Sequence, residues 1–421
     1  MKVAVAGLWH LGTVTAACCA YGAHDVIAFD DSNVIANLKQ GSLPVDEPGL
    51  NVLIAAGLKS GRLRFTEDAA DLSESEILWI CYDTPVSDND VADTEFVCSQ
   101  ITNVLPYLRP DALVLISSQL PVGTTARLNE ARPELTFAYS PENLRLGKAI
   151  DLFVKPDRVV IGVRNDESKR RLCSLFQPFT GAIEWMSIES AEMTKHALNA
   201  FLATSISFIN EVAAVCETTG ADAQQVERGL KSDTRIGPRA YLHPGAAFAG
   251  GTLARDLSFL CTMGKEHGVP THLLEGVSQS NSAHKLWGRR RLQELLGDLK
   301  GKVIALLGLT YKPGTDTLRR SSSIETCRWL LEQGAVVRAF DPAITRLPED
   351  LGMVRLERSG ERVLKGSDAA FIATPWPEFR AIPPLAFAQM RRALVLDPAR
   401  HLEDILRDQR GIEYVAIGVS R

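Results

Sequence analysis

The stretch that decides the fold is KVAVAGLWHLG, residues 2–12. An apolar run typical of a buried strand leads directly into a turn at Gly7, and a helical pattern, TVTAACCAYGA, follows Gly12. A strand, a glycine turn and a helix in this order are typical of a dinucleotide-binding domain with the fingerprint G-x-G-x-x-G. Here Trp9 stands where the middle glycine belongs. The stretch predicts a Rossmann-like domain, which either binds a dinucleotide or has lost it and keeps Trp9 for packing.

The other positions of the fingerprint favour cofactor binding. Gly7 can make the tight turn, and Gly12 can let the helix pack closely on the strand. The helix N-terminus after them can face an anion. An acidic residue that binds the ribose hydroxyls is expected about 20 positions further on, at the end of the second strand. Asp30 stands there with Asp31 beside it. Because two carboxylates would repel a 2′-phosphate, the sequence favours NAD over NADP.

Composition sets the broad class of the protein. The chain has 421 residues, 45% hydrophobic and 23% charged, which predicts two or three globular domains. The net charge of -5 and the pI near 6.0 give no reason to expect nucleic acid or membrane partners. The N-terminus lacks the basic start and cleavage site of a signal peptide, and no uninterrupted apolar run reaches eighteen residues. We therefore expect a cytoplasmic protein.

The cysteines do not form a metal-binding pattern. Eight are scattered along the chain without a C-x-x-C pair or a nearby histidine cluster. Reduced cysteines in a packed core are the expected state for such a pattern in a cytoplasmic protein. We expect no metal site.

Strand and helix patterns alternate at both ends of the chain and give way to helices in the middle. KVAVAG, DVIAFD, ILWICYDTP, ALVLISSQLP and RVVIGV are strand-like, and the rhythm restarts with KVIALLGLTYKPG, AVVRAFDP, AAFIATPW and ALVLDP. The intervening segment begins with one long helical pattern from Glu189, which suits a spine or a subunit contact. The prediction is an α/β protein with two Rossmann-like, doubly wound parallel-sheet domains, joined by a long central helix and a helical middle domain. The predicted bounds are 1–188, 189–298 and 299–421.

Nine segments, in order, resemble the nucleotide-sugar dehydrogenases of the UDP-glucose/GDP-mannose dehydrogenase family. They are LPVDEPGL, DTPVSDNDVAD, SSQLPVGTT, SPENLRLGKAI, ESAEMTKHALNAF, DTRIGPRAYLHPG, FAGGTLARD, GLTYKPGTDTLRRSSS and VRAFDP. The resemblance implies oxidation of a sugar C6 alcohol to a carboxylate with two NAD molecules and a cysteine thioester. It also implies a homodimer through the central helices, a UDP-sugar site in the C-terminal domain and a role in polysaccharide biosynthesis.

The resemblance assigns catalytic roles to several polar residues. Lys195 and Asn199 lie four apart on one helix face, where they would stabilise a developing oxyanion. Asp256 would help to hold a catalytic water, and Glu142 would line the sugar and water site. Thr252 stands where the family has its nucleophilic cysteine.

Besides Trp9, three further positions differ from the family pattern. Thr252 replaces the cysteine, Leu146 replaces a second glutamate proposed as an acid or base, and Gln119 replaces a threonine. A threonine hydroxyl is a far weaker nucleophile than a thiol whose pKa is about 8.5, so covalent capture of the aldehyde is improbable. The sequence favours a two-electron oxidation or a reversible reaction. It leaves open oxidation of a hydrated aldehyde, full four-electron oxidation, an NAD-retaining epimerase or dehydratase, and a silent nucleotide-sugar binder.

The resemblance also carries over binding residues. In this family the uracil stacks on an aromatic residue, here Tyr241, and an arginine, here Arg235, reaches the neighbouring subunit's sugar nucleotide. The expected cofactor-binding residues are Gly7, Trp9, His10, Leu11, Gly12, Asp30, Thr84, Gln119 and Arg319. The expected substrate-binding residues are Glu142, Leu144, Lys195, Asn199, Arg235, Tyr241, Gly250, Tyr311, Lys312 and Arg400.

Overall fold

The chain divides into two compact units. The computed structural model describes residues 1–86, 92–142, 144–248, 252–319 and 321–419. The first unit is Met1–Leu198 and the second is Asn199–Arg421. The expected division into three domains remains a prediction.

The first unit is built from alternating strands and helices. Its strands are β1 (Lys2–Ala6), β2 (Asp25–Phe29), β3 (Leu63–Thr66), β4 (Ile77–Ile80), β5 (Leu113–Ile116), β6 (Thr136–Tyr139), β7 (Val159–Gly162) and β8 (Ile183–Met186). Its helices are α1 (His10–Tyr21), α2 (Ser32–Lys39), α3 (Leu50–Lys59), α4 (Thr94–Val104), α5 (Thr124–Ala131), α6 (Ala149–Val154) and α7 (Asp166–Phe176).

These strands form one sheet in the order β3-β2-β1-β4-β5-β6-β7-β8. The pairs from β3 to β6 are parallel, whereas β6 meets β7 antiparallel through Tyr139 and Gly162. The order 3-2-1-4-5-6 is that of a doubly wound dinucleotide-binding fold, in which ligands bind at the carboxyl ends of the central strands. Alternate residues of β1 pack into cores on opposite faces, Val3 and Val5 into one and Ala4 and Ala6 into the other. The carboxyl end of β1 therefore lies at the centre of the binding edge.

Helix α8 (Ile188–Thr219) is the predicted long helix and has 32 residues. By length and composition alone it is apolar enough to cross a membrane, with an 18-residue window of mean hydropathy 1.4 that is 44% buried. The core helix of a soluble protein passes the same test. The buried residues of α8 include the ionisable Glu192, Lys195 and His196, and such groups are rare and costly in a lipid-embedded helix.

The second unit adds further helices and a second sheet. Its elements after α8 are α9 (Ala223–Ser232), α10 (Thr252–Glu266), α11 (His272–Lys285), α12 (Trp287–Leu296), β9 (Val303–Leu307), α13 (Ser322–Glu332), β10 (Val336–Phe340), β11 (Arg355–Leu356), α14 (Gly360–Leu364), β12 (Ala369–Ile372), α15 (Pro384–Phe387), β13 (Leu394–Leu396), α16 (Glu403–Leu406) and β14 (Glu413–Val415). The strand order is β11-β10-β9-β12-β13-β14, and the pairs are parallel. The predicted fold class, with two Rossmann-like sheets and a helical middle, is confirmed.

The same glycine turn follows β1 in the first sheet and β9 in the second. After β1, Gly7 has φ +91° and the N–H of Leu8 donates to Asp30 at the end of β2. After β9, Gly308 also has φ +91° and the N–H of Leu309 donates to Asp341 at the end of β10. In both units the glycine turns the chain sharply, and a carboxylate from the next strand holds the turn.

Candidate active site

The glycine turn after β1 has the geometry that the fingerprint requires. A Cβ on Gly7 would lie 2.6 Å from the backbone nitrogen of Tyr82, and the positive φ of Gly7 is itself unfavourable for other residues. A Cβ on Gly12 would lie 1.8 Å from the carbonyl oxygen of Gly7. Both glycines are therefore required by close backbone approach, which is the condition for a dinucleotide cradle.

Trp9 is turned away from this close packing. It occupies the N-cap position of α1 with an extended backbone, φ -78° and ψ -153°, and its side chain makes no capping hydrogen bond. The residue is 52% exposed. The first turn of α1 contains no acidic side chain. The helix N-terminus is thus open to an anion although the middle glycine is missing.

Asp30 faces the same turn. Its Oδ2 accepts a hydrogen bond from the N–H of Leu8 at 2.5 Å, and its Oδ1 accepts one from the N–H of Asp31 at 2.8 Å. Burial raises the pKa of Asp30, and these hydrogen bonds only partly offset the rise. Asp31 caps α2 by accepting from Asn33 and Val34. Asp30 is therefore held where a ribose would meet the second strand, while Asp31 also has a structural task.

The segments after β4 and β5 are tied together at the binding edge. The Thr84 hydroxyl donates to the backbone oxygen of Gln119 at 2.7 Å, and both residues are buried. The Ser118 hydroxyl donates to the backbone oxygen of Tyr82, also at 2.7 Å. Two of the expected cofactor residues, Thr84 and Gln119, thus lie in contact.

Glu192 is a buried carboxylate of α8 to which the sequence assigned no role. Its fully buried carboxylate accepts from the N–H of Gly123 at 2.6 Å, and from the N–H and hydroxyl of Thr125 at 3.0 and 2.6 Å. Gly123 is the N-cap of α5 and has no side chain, so Glu192 supplies the cap from α8. Burial raises the pKa of Glu192 against these hydrogen bonds. An acidic residue inside an apolar helical segment was the available signal.

His10 lies at the start of α1, and its ring contacts a buried carboxylate. Its Nε2 lies 3.0 Å from Oε2 of Glu47. The backbone N–H of His10, in the first turn of the helix, remains as the group that can face an anion. The expectation that His10 contributes to cofactor binding remains a prediction.

A cavity of about 260 Å³ opens at the carboxyl edge of the first sheet. Its walls include Leu11 and Thr15 of α1, Glu142 and Leu144 after β6, and the aromatic rings of Trp79 and Phe153. The indole N–H of Trp79 donates to the Ser117 hydroxyl at 2.9 Å, which in turn donates to the backbone oxygen of Ser140 at 2.6 Å. The cavity thus combines apolar walls with three of the expected site residues, Leu11, Glu142 and Leu144.

Lys195 and Glu142 meet in the first unit. The ammonium donates to the backbone oxygen of Glu142 at 2.5 Å, and Nζ lies 3.8 Å from Oε1 of the same residue. The carboxylate of Glu142 also accepts from the N–H of Leu144 at 2.7 Å. Lys195 is only 6% exposed, and a buried ammonium requires such partners. The structure therefore brings together the two residues that the resemblance placed at the sugar.

Asn199 and Asp256 meet in the second unit. The side-chain amide of Asn199 donates to Oδ2 of Asp256, which is fully buried. Thr252 is the first residue of α10, one turn before Asp256 on the same face, and it is exposed. The hydroxyl that replaces the expected cysteine is thus accessible at a helix N-terminus.

Two asparagine side chains anchor the segment expected to bind the nucleotide. Asn210 accepts from the N–H of Gly245, and Asn281 binds both the N–H and the carbonyl oxygen of Phe248. Tyr241 is 58% exposed and available for stacking. Gly250 lies outside the described residues.

Four further residues expected to bind ligands are exposed to solvent in this unit. Arg235 forms a bidentate pair with Asp233, with contacts of 3.0 and 2.7 Å, and remains exposed. Tyr311, Lys312 and Arg319 are exposed in the segment after β9. These four side chains lie where a solvent-borne ligand can reach them.

Arg400 is paired with other residues of the second unit. It is buried, and its guanidinium lies 3.3–3.4 Å from the carboxylate of Asp222 and donates to the backbone oxygens of Ile417 and Gly418. Its backbone φ is +53°, in the left-handed region. Arg400 therefore ties the segment at Ile417 and Gly418 to Asp222 at the start of α9, and its assignment as a substrate contact remains a prediction.

Leu146, at the position of the second expected glutamate, is 44% exposed in the turn before α6. A leucine there offers no acid or base. Within the described ranges, no group of three or more His, Cys, Asp or Glu side chains is arranged to hold a metal ion.

Family models match the chain in three consecutive parts. They describe the UDP-glucose/GDP-mannose dehydrogenase family: its NAD binding domain matches residues 1–180, its central domain residues 189–283, and its UDP binding domain residues 305–404.

Individual relatives agree with these matches. The chain is 34% identical to a UDP-glucose 6-dehydrogenase of Rhizobium meliloti (strain 1021), with 99% of each chain covered. It is 35% identical to a UDP-glucose 6-dehydrogenase of Pseudomonas aeruginosa, over 90% of this chain and 89% of that one.

Solved structures give the same result. A UDP-glucose dehydrogenase from the archaeon Pyrobaculum islandicum is 30% identical with a TM-score of 0.86, over 100% of this chain and 97% of that one. A UDP-D-ManNAc dehydrogenase from Pyrococcus horikoshii is 26% identical with a TM-score of 0.85, over 99% of both chains.

Proposed function

We propose that this chain, which belongs to the UDP-glucose/GDP-mannose dehydrogenase family, oxidises the C6 alcohol of a UDP-hexose and releases a two-electron product. The family and the relatives make it an NAD-dependent nucleotide-sugar dehydrogenase. The UDP binding domain supports a UDP-sugar as its substrate. We take the sugar nucleotide to be similar to UDP-glucose and the number of electrons removed to be two.

The residues present fit NAD. Gly7 and Gly12 form the cradle, α1 presents an open N-terminus, and Asp30 stands at the ribose position. We place the nicotinamide end at the cavity beside Glu142, because its volume and aromatic walls suit a flat ring. When bound, NAD supplies the acceptor for the hydride from C6.

The chain's own residues would handle the alcohol. We assign to Lys195 and Asn199 the stabilisation of charge that develops on the C6 oxygen as its proton leaves. An ammonium and an amide donor fixed before the reaction are effective in this role because they need no reorganisation. The buried position of Lys195 strengthens its interaction with a negative oxygen.

The observation that carries the two-electron proposal is Thr252 at the start of α10. A thiolate can add to an aldehyde and hold it for a second oxidation, whereas a threonine hydroxyl needs an adjacent base. The glutamate that would be a candidate base is replaced by Leu146. Cys261 lies nearby on α10, but burial raises the pKa of its thiol, which disfavours a thiolate.

A second candidate is oxidation of the hydrated aldehyde without covalent capture. The pairing of Asn199 with the buried Asp256 favours it, since a fixed carboxylate and amide could hold a water. This route would give a carboxylate and a second reduced NAD. It is therefore separated from the first candidate by stoichiometry.

We further propose a cytoplasmic homodimer that assembles through α8. Its exposed side chains include Met193, Phe201, Phe208 and Val215, which are 39%, 70%, 49% and 61% exposed. The last three are spaced by seven residues and therefore form a stripe along one face of the helix. An exposed apolar stripe of this kind is typical of a helix that packs on a second copy.

The activity is tested by incubating the purified protein with NAD or NADP and a panel of UDP- and GDP-sugars. We expect NAD reduction with a UDP-hexose, and an aldehyde that a hydrazide reagent captures. A changed sugar without net NAD reduction would indicate an epimerase or dehydratase instead. If no sugar reacts and none raises the melting temperature, the proposed activity is wrong.

A further inference from the structure

Glu47 is a buried carboxylate that has no role in the proposed oxidation. It is 3% exposed and lies in the segment LPVDEPGL, ahead of α3. Its Oε2 lies 3.0 Å from Nε2 of His10 and accepts from the N–H of Gly147 at 2.8 Å. Its Oε1 accepts from the N–H of Ala149, also at 2.8 Å. One carboxylate thus serves three groups that belong to two other segments of the chain.

Both segments contribute to the walls of the cavity at the binding edge. His10 begins α1, whose Leu11 and Thr15 line the cavity. Ala149 begins α6, whose Phe153 also lines it, together with Leu144. Because Glu47 is bonded to the first residue of each helix, it fixes the separation of their N-terminal ends.

The bonds leave little freedom for another side chain. The N-cap residue of α6, Lys148, makes no side-chain capping bond, so Glu47 supplies the cap from about 100 residues away in sequence. A carboxylate accepts at both oxygens, as this arrangement requires. In Glu47→Gln, the side-chain NH₂ group would face the N–H of either Gly147 or Ala149, and that hydrogen bond would be lost. The start of α6 would then be held less firmly relative to α1.

We propose that Glu47 is a positioning residue that sets the width of this cavity and thereby the fit of the nicotinamide end of NAD. The inference rests on the proposed placement of the nicotinamide. Glu47 is not among the residues that line the cavity. It acts through His10 at the start of α1 and through Gly147 and Ala149 at the start of α6.

The test compares two ligands in the same variants. NADH carries the nicotinamide, whereas ADP-ribose carries the rest of the dinucleotide without it. For Glu47→Gln we expect both dissociation constants to rise, because the start of α1 also faces the pyrophosphate, but that of NADH should rise at least 3-fold more than that of ADP-ribose. In assays of the active enzyme, the KM for NAD should rise more than kcat falls. For His10→Phe, which leaves the bonds to Gly147 and Ala149, we expect a smaller loss in the same direction.

A matched control separates positioning from stability. Asn165 caps α7 in the same unit by accepting from the N–H of Ser168. Asn165→Ala should lower the melting temperature about as much as Glu47→Gln without changing the ratio of the two affinities. An equal loss for NADH and ADP-ribose, or no loss for either, in both Glu47→Gln and His10→Phe would overturn the inference. A wild-type protein that binds neither ligand would contradict the cofactor site itself, which is a separate failure.

Discussion

The ammonium of Lys195 lies 2.5 Å from the backbone oxygen of Glu142 and 3.8 Å from its carboxylate. The helix α8 and the segment after β6 therefore meet at one charged contact. We infer that Glu142 orients the ammonium of Lys195, and that the ammonium also donates a hydrogen bond to the sugar when the substrate is bound.

Replacing Lys195 by methionine should lower kcat by about 10²–10³-fold, the usual loss when one fixed donor to a developing oxyanion is removed. The binding of NAD should remain within about 3-fold, since the glycine turn and Asp30 are untouched. Lys39 is exposed in the same unit, and Lys39→Met is the matched control. Steady-state kinetics with NAD titrations check the result. Unchanged turnover in Lys195→Met would remove this residue from the catalytic group.

Acid should weaken the contribution of Glu47 to stability. Burial alone would raise the pKa of this carboxyl, but the hydrogen bonds from Gly147, His10 and Ala149 outweigh it and hold the pKa below its usual value. A lowered carboxyl pKa stabilises the fold above the unfolded value of about 4.3. That contribution disappears as the pH falls through the folded pKa.

The measurement is the free energy of unfolding of the wild type and of Glu47→Gln, by urea titration from pH 7 to pH 3. The difference between the two proteins should be constant above about pH 5 and shrink below it. A difference that grows towards acid would contradict the lowered pKa.

The α8 stripe gives a test of the proposed dimer. Phe208→Glu places a charge at the centre of the stripe, where burial against a second copy would be unfavourable. We expect the variant to elute as a monomer while the wild type is a dimer, as measured by light scattering after gel filtration. Leu385, which is 72% exposed elsewhere in the second unit, provides the control Leu385→Glu. A monomeric wild type would exclude the dimer.

Much of the fold could be predicted from the sequence because its signals are local. KVAVAGLWHLG fixes a strand, a turn and a helix in eleven residues, and Asp30 stands at the end of the next strand. The long helix was predicted from apolar spacing and observed as Ile188–Thr219. These features depend on neighbouring residues, so the order of residue types is sufficient to reveal them.

Long-range pairings in the site could not be predicted in this way. Glu47 bonds to residues 37 and about 100 positions away, and Glu192 caps a helix that begins 67–69 positions earlier. Arg400 also has a partner that its motif did not indicate, Asp222, which lies 178 positions away. Such partners are set by the tertiary fold, which motif spacing does not contain.

Restoring the thiol should change the product. If the missing nucleophile limits the reaction, Thr252→Cys should convert part of the aldehyde into the carboxylate and raise acid formation severalfold. A cysteine at the N-terminus of α10 would have its pKa lowered by the helix, which favours the thiolate. Thr252→Ser is the control, since it keeps a hydroxyl. Acid formation that does not differ between the two variants would mean that the thiol alone is not limiting.

The number of NADH molecules formed per UDP-hexose consumed by the wild-type enzyme tests directly whether the oxidation stops after two electrons. The measurement follows absorbance at limiting sugar, with the aldehyde captured as it is released and the sugar product identified by mass. We expect one NADH per sugar and a captured aldehyde. Two NADH per sugar with a carboxylate product would contradict it and show that Thr252 does not prevent the second oxidation.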